Sequence, residues 1–246
     1  TMLITMGAAW PVIENLKGPA IAAAREKFKR WFWCATFSQR YENQTNSRSE
    51  QDYPELQGWI TGTADAPASL AESFEPELWR KMTYRQTALY KASMALLMSS
   101  SPQDLHNGQK LTAAYVAEHD LDDHHVFPAG YLVDKNASPE ERAAADTILN
   151  RTLIDKITNI RIGKRAPSVY LGEMAKDLGP ALLGTVLASH HLPTTADGPL
   201  RMDQFLEFLE WRLSTLTEIL AVHTGWALSQ QVAAEAIAEP NPELTG

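Results

Sequence analysis

Hydrophobic residues recur with helical spacing over most of the chain. Between residues 21 and 41 they fall near the i, i+3, i+4, i+7 positions of one helix face. This stripe consists of Ile21, Ala24, Phe28, Trp31, Phe32 and Ala35. Similar spacing predicts further helices over residues 77–98, 167–178, 181–189 and 202–223. Residues 42–49 are polar and predict a loop, and the pattern as a whole is typical of a mainly α protein.

Residues 112–166 break this helical pattern. They contain short β-prone pieces at 115–116, 126–127 and 152–154, together with a charged insertion over 138–146. The sequence therefore predicts three parts: a helical domain over 1–111, a small mixed α/β insert over 112–166, and C-terminal helices over 167–246 that pack back on the helical domain.

Composition narrows the class of protein. The chain has 246 residues, and no apolar run approaches the ~20 residues that span a bilayer. Its first residues lack the pattern of a signal peptide, and the lone Cys34 excludes a disulfide within the chain or a cysteine-ligated zinc site. These features predict a cytoplasmic protein without a membrane segment.

The charge distribution leaves nucleic-acid binding open. A net charge of −8 argues mildly against phosphate contacts. Residues 151–165, however, form a locally basic run in which five cations face one acid: Arg151, Lys156, Arg161, Lys164 and Arg165 against Asp155. A solvated helix face would explain the run by itself. Its position just after a histidine cluster favours a role in phosphate binding.

That cluster is the segment Asp122-Asp123-His124-His125-Val126-Phe127-Pro128. Adjacent histidines on an extended backbone point to opposite faces, so both rings do not readily chelate one metal ion. A division of labour fits better, with one ring as ligand and the other facing a substrate, because imidazole serves both roles near neutral pH. The alternative is a structural pair held by Asp122 and Asp123.

Two asparagines downstream favour a metal site with a general base over a structural histidine pair. Asn150 precedes a β-prone piece, where its amide could hold the loop that carries the histidines. Asn159 lies inside the basic run, and its neutral carbonyl oxygen is a reasonable ligand for a hard divalent cation. His124 and Asn159 with phosphate oxygens and waters would suit a metal ion that stays open to substrate, but not a closed structural site.

The order Asp-His-His-Val-Phe-Pro, then Asn150, then Asn159, resembles the signature of HNH endonucleases, also called His-Me finger or ββα-metal nucleases. The similarity is greatest to the C-terminal nuclease domains of bacterial phage-restriction proteins of the GmrSD and phosphorothioation-sensing SspE types. The aromatic run at residues 29–41 and the segment 161–171 are also similar to the parts that flank the motif in those proteins. The resemblance implies a helical protein with an inserted ββα-metal module over 112–166.

The resemblance also implies roles for individual residues. His125 corresponds to the general base and Asn150 to the middle asparagine, which orients the loop and the base. His124 and Asn159 correspond to the metal ligands for Mg²⁺ or Mn²⁺, with Ni²⁺ as a competitor, since the pair carries no carboxylate charge. Arg161, Lys164 and Arg165 are expected to contact DNA phosphates.

The function that the resemblance implies is a metal-dependent DNA endonuclease that nicks one strand and serves phage restriction. In SspE-type proteins a ParB-like NTPase domain precedes the nuclease, and its motif does not occur here. This chain is therefore expected to be the effector part of a larger protein. Two alternatives remain: an inactive helical DNA-binding or interaction module that recruits a partner NTPase, and a ligand- or pH-sensing domain with a buried histidine switch.

Overall fold

The computed structural model describes residues 2–42, 45–85 and 87–228. These residues form eleven α-helices, three short 3₁₀ helices and one two-stranded antiparallel sheet, which confirms a mainly α protein. No helix in the described ranges combines the length and the apolar character needed to cross a membrane. The C-terminal residues from Glu239, which the sequence predicts to be loose, lie outside the described residues.

The chain divides into two compact units. One comprises the residues up to Glu75 together with those from Glu218 on, and the other comprises Pro76–Thr217. The division predicted from the sequence has its boundaries at 111/112 and 166/167 instead. The division predicted from the sequence separates functional modules, and it stays a prediction.

Three helices build the first unit: α1 (Met2–Glu14), α2 (Pro19–Phe37) and α3 (Thr45–Thr61), followed by a 3₁₀ helix at Ala68–Ala71. Proline at the first position of α2 suits a helix start, where its missing N–H has no partner to lose. The predicted stripe of α2 is confirmed, because Ala24, Phe28, Trp31 and Ala35 are buried in the core of this unit. The predicted loop over 42–49 is wrong from Thr45 on, where α3 begins.

The second unit holds all remaining elements. Its helices before the sheet are a 3₁₀ helix at Pro76–Arg80, α4 (Thr87–Met98) and α5 (Ala113–Glu118). Strand β1 (Leu121–His125) is followed by α6 (Ala129–Asp134), α7 (Pro139–Ala144) and a 3₁₀ helix at Ile148–Asn150. Strand β2 (Arg151–Asp155) comes next and leads into α8 (Lys156–Ile162). The chain then continues through α9 (Pro167–Leu178), α10 (Pro180–Ser189) and α11 (Phe205–Thr224), which crosses into the first unit.

Two predictions before the sheet need correction. The helix predicted over 77–98 is confirmed for 87–98, where α4 lies, but it is wrong over 77–85. A 3₁₀ helix ends there at Arg80, and the backbone carbonyl of Met82 accepts a hydrogen bond from Ile148 N at 2.8 Å. Residues 115–116 lie in α5 rather than in a strand, since the Thr112 side chain caps that helix by accepting from Tyr115 N at 3.2 Å.

The predictions after the sheet are confirmed within a few residues. Helices α9 and α10 meet at Gly179, whose φ of 81° suits glycine, and Pro180 starts the second helix. Helix α11 begins at Phe205 rather than at 202. The core of the second unit surrounds Phe127, whose ring centroid lies 5.1 Å from that of Phe205 and 5.2 Å from that of Phe208. This packing holds the turn after β1 against α11.

Candidate functional site

The histidine cluster lies on a β-hairpin that leads directly into a helix. Strands β1 and β2 pair in antiparallel register, with His124 opposite Thr152 and His125 opposite Arg151. Asp155 ends β2 and caps α8, since its side chain accepts a hydrogen bond from Ile157 N at 2.7 Å. The predicted strand over 152–154 is confirmed, whereas residues 126–127 follow β1 as a turn.

One face of β1 turns toward α8. The Nδ1 atom of His124 lies 2.7 Å from Oδ1 of Asn159. The amide nitrogen of Asn159 donates to Asp122 Oδ2 at 2.8 Å. Because a carboxylate only accepts hydrogen bonds, Asp122 turns the amide so that the carbonyl oxygen faces His124. The structure therefore brings together the two residues that the sequence predicted as metal ligands.

His124 is buried, with 3% of its surface exposed. Burial lowers its pKa to about 3, against a smaller opposing effect of the hydrogen bond to Asn159. The ring is therefore neutral at physiological pH, which is the state that binds metal ions. Its Nε2 atom is sealed from solvent and lacks a hydrogen-bond partner among the described residues.

His125 lies on the other face of β1, within a network of charged side chains. Its Nε2 atom lies 2.8 Å from Asp146 Oδ1, and the same oxygen accepts from Arg151 Nη2 at 2.9 Å. Arg151 also donates to the backbone carbonyl of Asp123 at 3.1 Å, and Tyr90 donates to the Asp123 carboxylate. Burial lowers the pKa of His125, while the hydrogen bond to Asp146 acts in the opposite direction. The two histidines thus have separate surroundings, as opposite faces of a strand require.

Asn150 holds the loop that follows His125. Its Oδ1 accepts from Phe127 N at 2.8 Å, and its Nδ2 donates to the carbonyls of Phe127 and Ala145 at 3.1 and 2.9 Å. The side chain is fully buried, so these bonds satisfy its amide without water. This agrees with the loop-holding role predicted for Asn150, while its assignment as a catalytic residue stays a prediction.

The basic run is largely neutralised by nearby acids. Lys164 pairs with Asp134 at 2.7 Å and Arg165 pairs with Glu173, while Lys156 lies 3.4 Å from Asp120. Exposed pairs of this kind contribute little and exchange readily with other anions. Arg161 is exposed and makes no ion pair with any described residue. Of the three residues predicted to contact DNA, Arg161 is thus the one with an uncompensated charge.

A buried polar network supports the hairpin from β2. Thr152 Oγ1 lies 2.7 Å from His190 Nδ1, and His190 Nε2 lies 2.6 Å from the carbonyl oxygen of Gln103. Arg212, fully buried on α11, donates to the carbonyl of His190 at 2.6 Å and to that of Arg151 at 3.3 Å. His190 is also the C-cap residue of α10. No sequence pattern predicts the contact of His190 with the hairpin.

The donor set suits an open metal site and not a closed one. No group of three or more His, Cys, Asp and Glu side chains that could hold a metal ion occurs in the described ranges. His124 Nδ1 nevertheless lies 2.7 Å from Asn159 Oδ1, to which it donates a hydrogen bond. Imidazole and amide oxygen are both neutral ligands for a hard or borderline divalent cation, once the Nδ1 proton has moved to Nε2. With only two protein ligands, the remaining positions would be left for water and substrate oxygens.

Sequence reasoning missed Asp146 as a partner of His125. It lies 21 residues after that histidine, in a segment interpreted only as a charged insertion. Arg151 belongs to the basic run in sequence, but it is buried and organises the outer face of the hairpin. These residues are joined by the pairing of the two strands, which is a tertiary feature that no local sequence spacing predicts.

Comparison with known proteins gives a partial relative. The chain is 31% identical over 155 residues to an uncharacterized protein of Methanocaldococcus jannaschii. The match covers 61% of this chain and 25% of the relative, so this chain spans about a quarter of the length of the relative it matches. No family model and no solved structure matches the chain. Its function therefore has to be inferred from the side chains of the site.

Proposed function

We propose that this chain is a metal-dependent HNH endonuclease that nicks DNA, and that residues 112–166 form its ββα-metal module. The observation that carries the proposal is the convergence of His124 Nδ1 and Asn159 Oδ1 at 2.7 Å, between a β-hairpin and the helix that directly follows it. Hairpin, helix, paired ligand residues and adjacent histidine occur in the order that HNH nucleases require. The proposed setting is the bacterial cytoplasm, as the effector part of a phage-restriction protein.

In this proposal His124 and Asn159 hold a Mg²⁺ or Mn²⁺ ion, and Ni²⁺ competes. When bound, such an ion supplies positive charge that neutralises the scissile phosphate and the leaving 3′ oxygen. Asp122 keeps the Asn159 carbonyl turned toward the site. Burial lowers the pKa of His124 to about 3, so the ring is neutral, but Nδ1 donates to Asn159 Oδ1 and its proton must move to Nε2 before Nδ1 can act as a ligand.

His125 is the proposed general base. Its side chain is 23% exposed, so one edge of the ring can meet a water molecule. It takes a proton from that water, which attacks the phosphorus atom, and such catalysis contributes about 10²- to 10⁴-fold in rate. Asn150 holds the loop after His125 in position. Arg161, with Lys164 and Arg165 after exchange of their carboxylate partners, positions the DNA phosphates.

Incubation of supercoiled plasmid with Mg²⁺, Mn²⁺ or Ni²⁺, beside an EDTA control, tests the proposal. We expect the metal-loaded chain to produce open circles and the EDTA sample to stay supercoiled. His125→Ala should lose nearly all of this activity. His223→Ala is a matched control, because His223 lies in the other compact unit and contacts the ring of Trp33. If His125→Ala nicks as fast as the unaltered chain, His125 is not the base.

A second candidate is an inactive DNA-binding or interaction module that recruits a partner such as a ParB-like NTPase. It is favoured by the ligand pair itself, which contributes no carboxylate charge to hold a cation. The same plasmid experiment separates the two functions. A chain that retards DNA in a gel but never nicks it, with any of the three metals, is the binding module.

A further inference from the structure

Asp146 lies outside the HNH motif but contacts the proposed base. Its Oδ1 accepts from Nε2 of His125 at 2.8 Å and from Nη2 of Arg151 at 2.9 Å. A carboxylate can only accept in these contacts. The proton of the neutral His125 ring therefore resides on Nε2, which leaves the lone pair on Nδ1. No described residue makes a hydrogen bond to that Nδ1 atom.

The position of Asp146 is fixed from two sides. Arg151 is buried and lies directly opposite His125 in the sheet register, where its other nitrogen donates to the Asp123 carbonyl at 3.1 Å. The carbonyl of the preceding residue, Ala145, is held by Asn150 at 2.9 Å. The Asp146 side chain is 59% exposed, so burial does not fix its position. Its hydrogen bonds with His125 and Arg151 do.

We propose that Asp146 is a positioning residue that holds the Nε2–H tautomer of His125 and presents Nδ1 to the attacking water. This inference rests on the proposed nuclease function. Charge favours the same arrangement, because the ring becomes an imidazolium when it takes the proton, and a carboxylate at Nε2 stabilises that cation. Arg151 keeps the carboxylate oriented.

The step balances without a further reactant. Nδ1 of His125 receives a proton from water as the water oxygen forms a bond to phosphorus. The bond from phosphorus to the 3′ oxygen breaks, and the leaving oxygen takes a proton from solvent. The imidazolium then returns its Nδ1 proton to solvent, while its Nε2 proton stays on the hydrogen bond to Asp146. Asp146 is unchanged at the end of the cycle.

The tautomer can be read without any activity measurement. Two-bond ¹H–¹⁵N correlation spectra of the Mg²⁺-loaded, ¹⁵N-histidine-labelled chain distinguish a protonated Nε2 from a protonated Nδ1. We expect the Nε2–H form for His125 at mildly alkaline pH, and a mixture of both forms in Asp146→Ala. An Nδ1–H form in the unaltered chain, or a pattern that Asp146→Ala leaves unchanged, overturns the proposal.

Kinetics test the catalytic consequence. Asp146→Ala should lower kcat about 10- to 100-fold, the range typical of a lost orienting partner, and leave KM for plasmid DNA nearly unchanged. Formate or acetate should restore part of the kcat, because the exposed site can admit a small carboxylate, whereas chloride at equal ionic strength should not. Asp146→Glu should retain more activity than Asp146→Ala.

Asp120→Ala is the matched control, since Asp120 is exposed and, among the residues that the structure describes, forms an ion pair with Lys156 alone at 3.4 Å. Melting temperatures of all variants show whether each one folds. An unchanged kcat in folded Asp146→Ala, or a loss that no carboxylate restores in any variant, contradicts the inference. If the unaltered chain never nicks DNA, the proposed function fails and the positioning role with it. An Nε2–H tautomer would then show a structural contact only.

Discussion

Nδ1 of His124 and Oδ1 of Asn159 lie 2.7 Å apart and join the first strand of the hairpin to helix α8. The contact spans 35 residues of sequence and brings together two neutral donors whose pairing suits a divalent cation. Both side chains are oriented by their surroundings, His124 by burial and Asn159 by Asp122. The convergence is therefore built into the fold.

Substitutions at Asn159 should change metal affinity in opposite directions. Asn159→Ala removes one of two protein ligands, so we expect Mn²⁺ binding to weaken about 10-fold or more. Asn159→Asp adds a negative charge beside the cation and should tighten binding instead. Isothermal titration calorimetry with Mn²⁺ measures both. Equal affinities in the two variants and the unaltered chain would place the metal elsewhere.

Asp122→Asn should weaken metal binding without removing a ligand. The aspartate accepts only, which forces the Asn159 amide nitrogen toward it and the carbonyl oxygen toward His124. An asparagine at 122 can also donate, so the Asn159 amide loses its fixed orientation. We expect a drop in Mn²⁺ affinity of about 10-fold, by calorimetry. Asp120→Asn serves as control, because exposed Asp120 pairs with Lys156.

Asn150→Asp should destabilise the fold severely. The buried amide donates to the carbonyls of Phe127 and Ala145, and a carboxylate would instead face both oxygens without a proton to share. We expect a loss of about 2 to 4 kcal/mol in the free energy of unfolding, from urea denaturation. The exposed Asn15→Asp should shift it by less than about 0.5 kcal/mol. A loss no larger than that of the control would mean that Asn150 does not hold the loop.

The stability of the fold should fall as the pH drops below about 6.5, in part through His190. Burial lowers the pKa of His190 from 6.5 to about 4. The charges of Arg212 and His191 act in the same direction, while the Gln103 carbonyl and Asp104 oppose it. Below pH 6.5 the unfolded state takes up a proton that the folded state does not accept until about pH 4. His190 thus contributes a loss of about 1.4 kcal/mol per pH unit in this window.

His190→Gln tests that contribution. Glutamine lacks a titrating group but can still donate to the Gln103 carbonyl or accept from Thr152. Urea denaturation at several pH values between 4 and 7 should therefore show a shallower slope than in the unaltered chain. His119→Gln is the control, because His119 is exposed. Identical slopes in His190→Gln and the unaltered chain would contradict the assignment.

Arg161 should contribute more to DNA binding than the paired cations of the same run. Its charge has no carboxylate partner among the described residues, whereas Lys164 must leave Asp134 before it contacts a phosphate. Arg161→Ala should weaken binding for all sequences alike and reduce the slope of log K against log[salt] by about 1. Fluorescence anisotropy over a salt series measures this. Lys17→Ala, in the other compact unit, should leave the slope unchanged.

Periodicity alone determined the helical character of the chain. The buried stripe of α2 and the break between α9 and α10 followed from apolar spacing and from Gly179-Pro180, because these signals act within one or two turns of backbone. The same reasoning failed where a distant segment decided the outcome. The helix predicted from residue 77 does not continue past Arg80, and the nearby Met82 carbonyl bonds to Ile148, which lies between the two strands in sequence.

The candidate site shows the same separation. The residue types and their order were sufficient to single out His124, His125, Asn150 and Asn159 as candidates. Imidazole acts as a metal ligand or a general base, and an amide can bind a metal ion or hold a loop. Which residues touch which was decided by the tertiary structure. The strand register places Arg151 opposite His125, and the loop between the strands returns Asp146 to the same ring. Contacts of this kind depend on pairing across the sheet, and a local sequence pattern contains no record of that pairing.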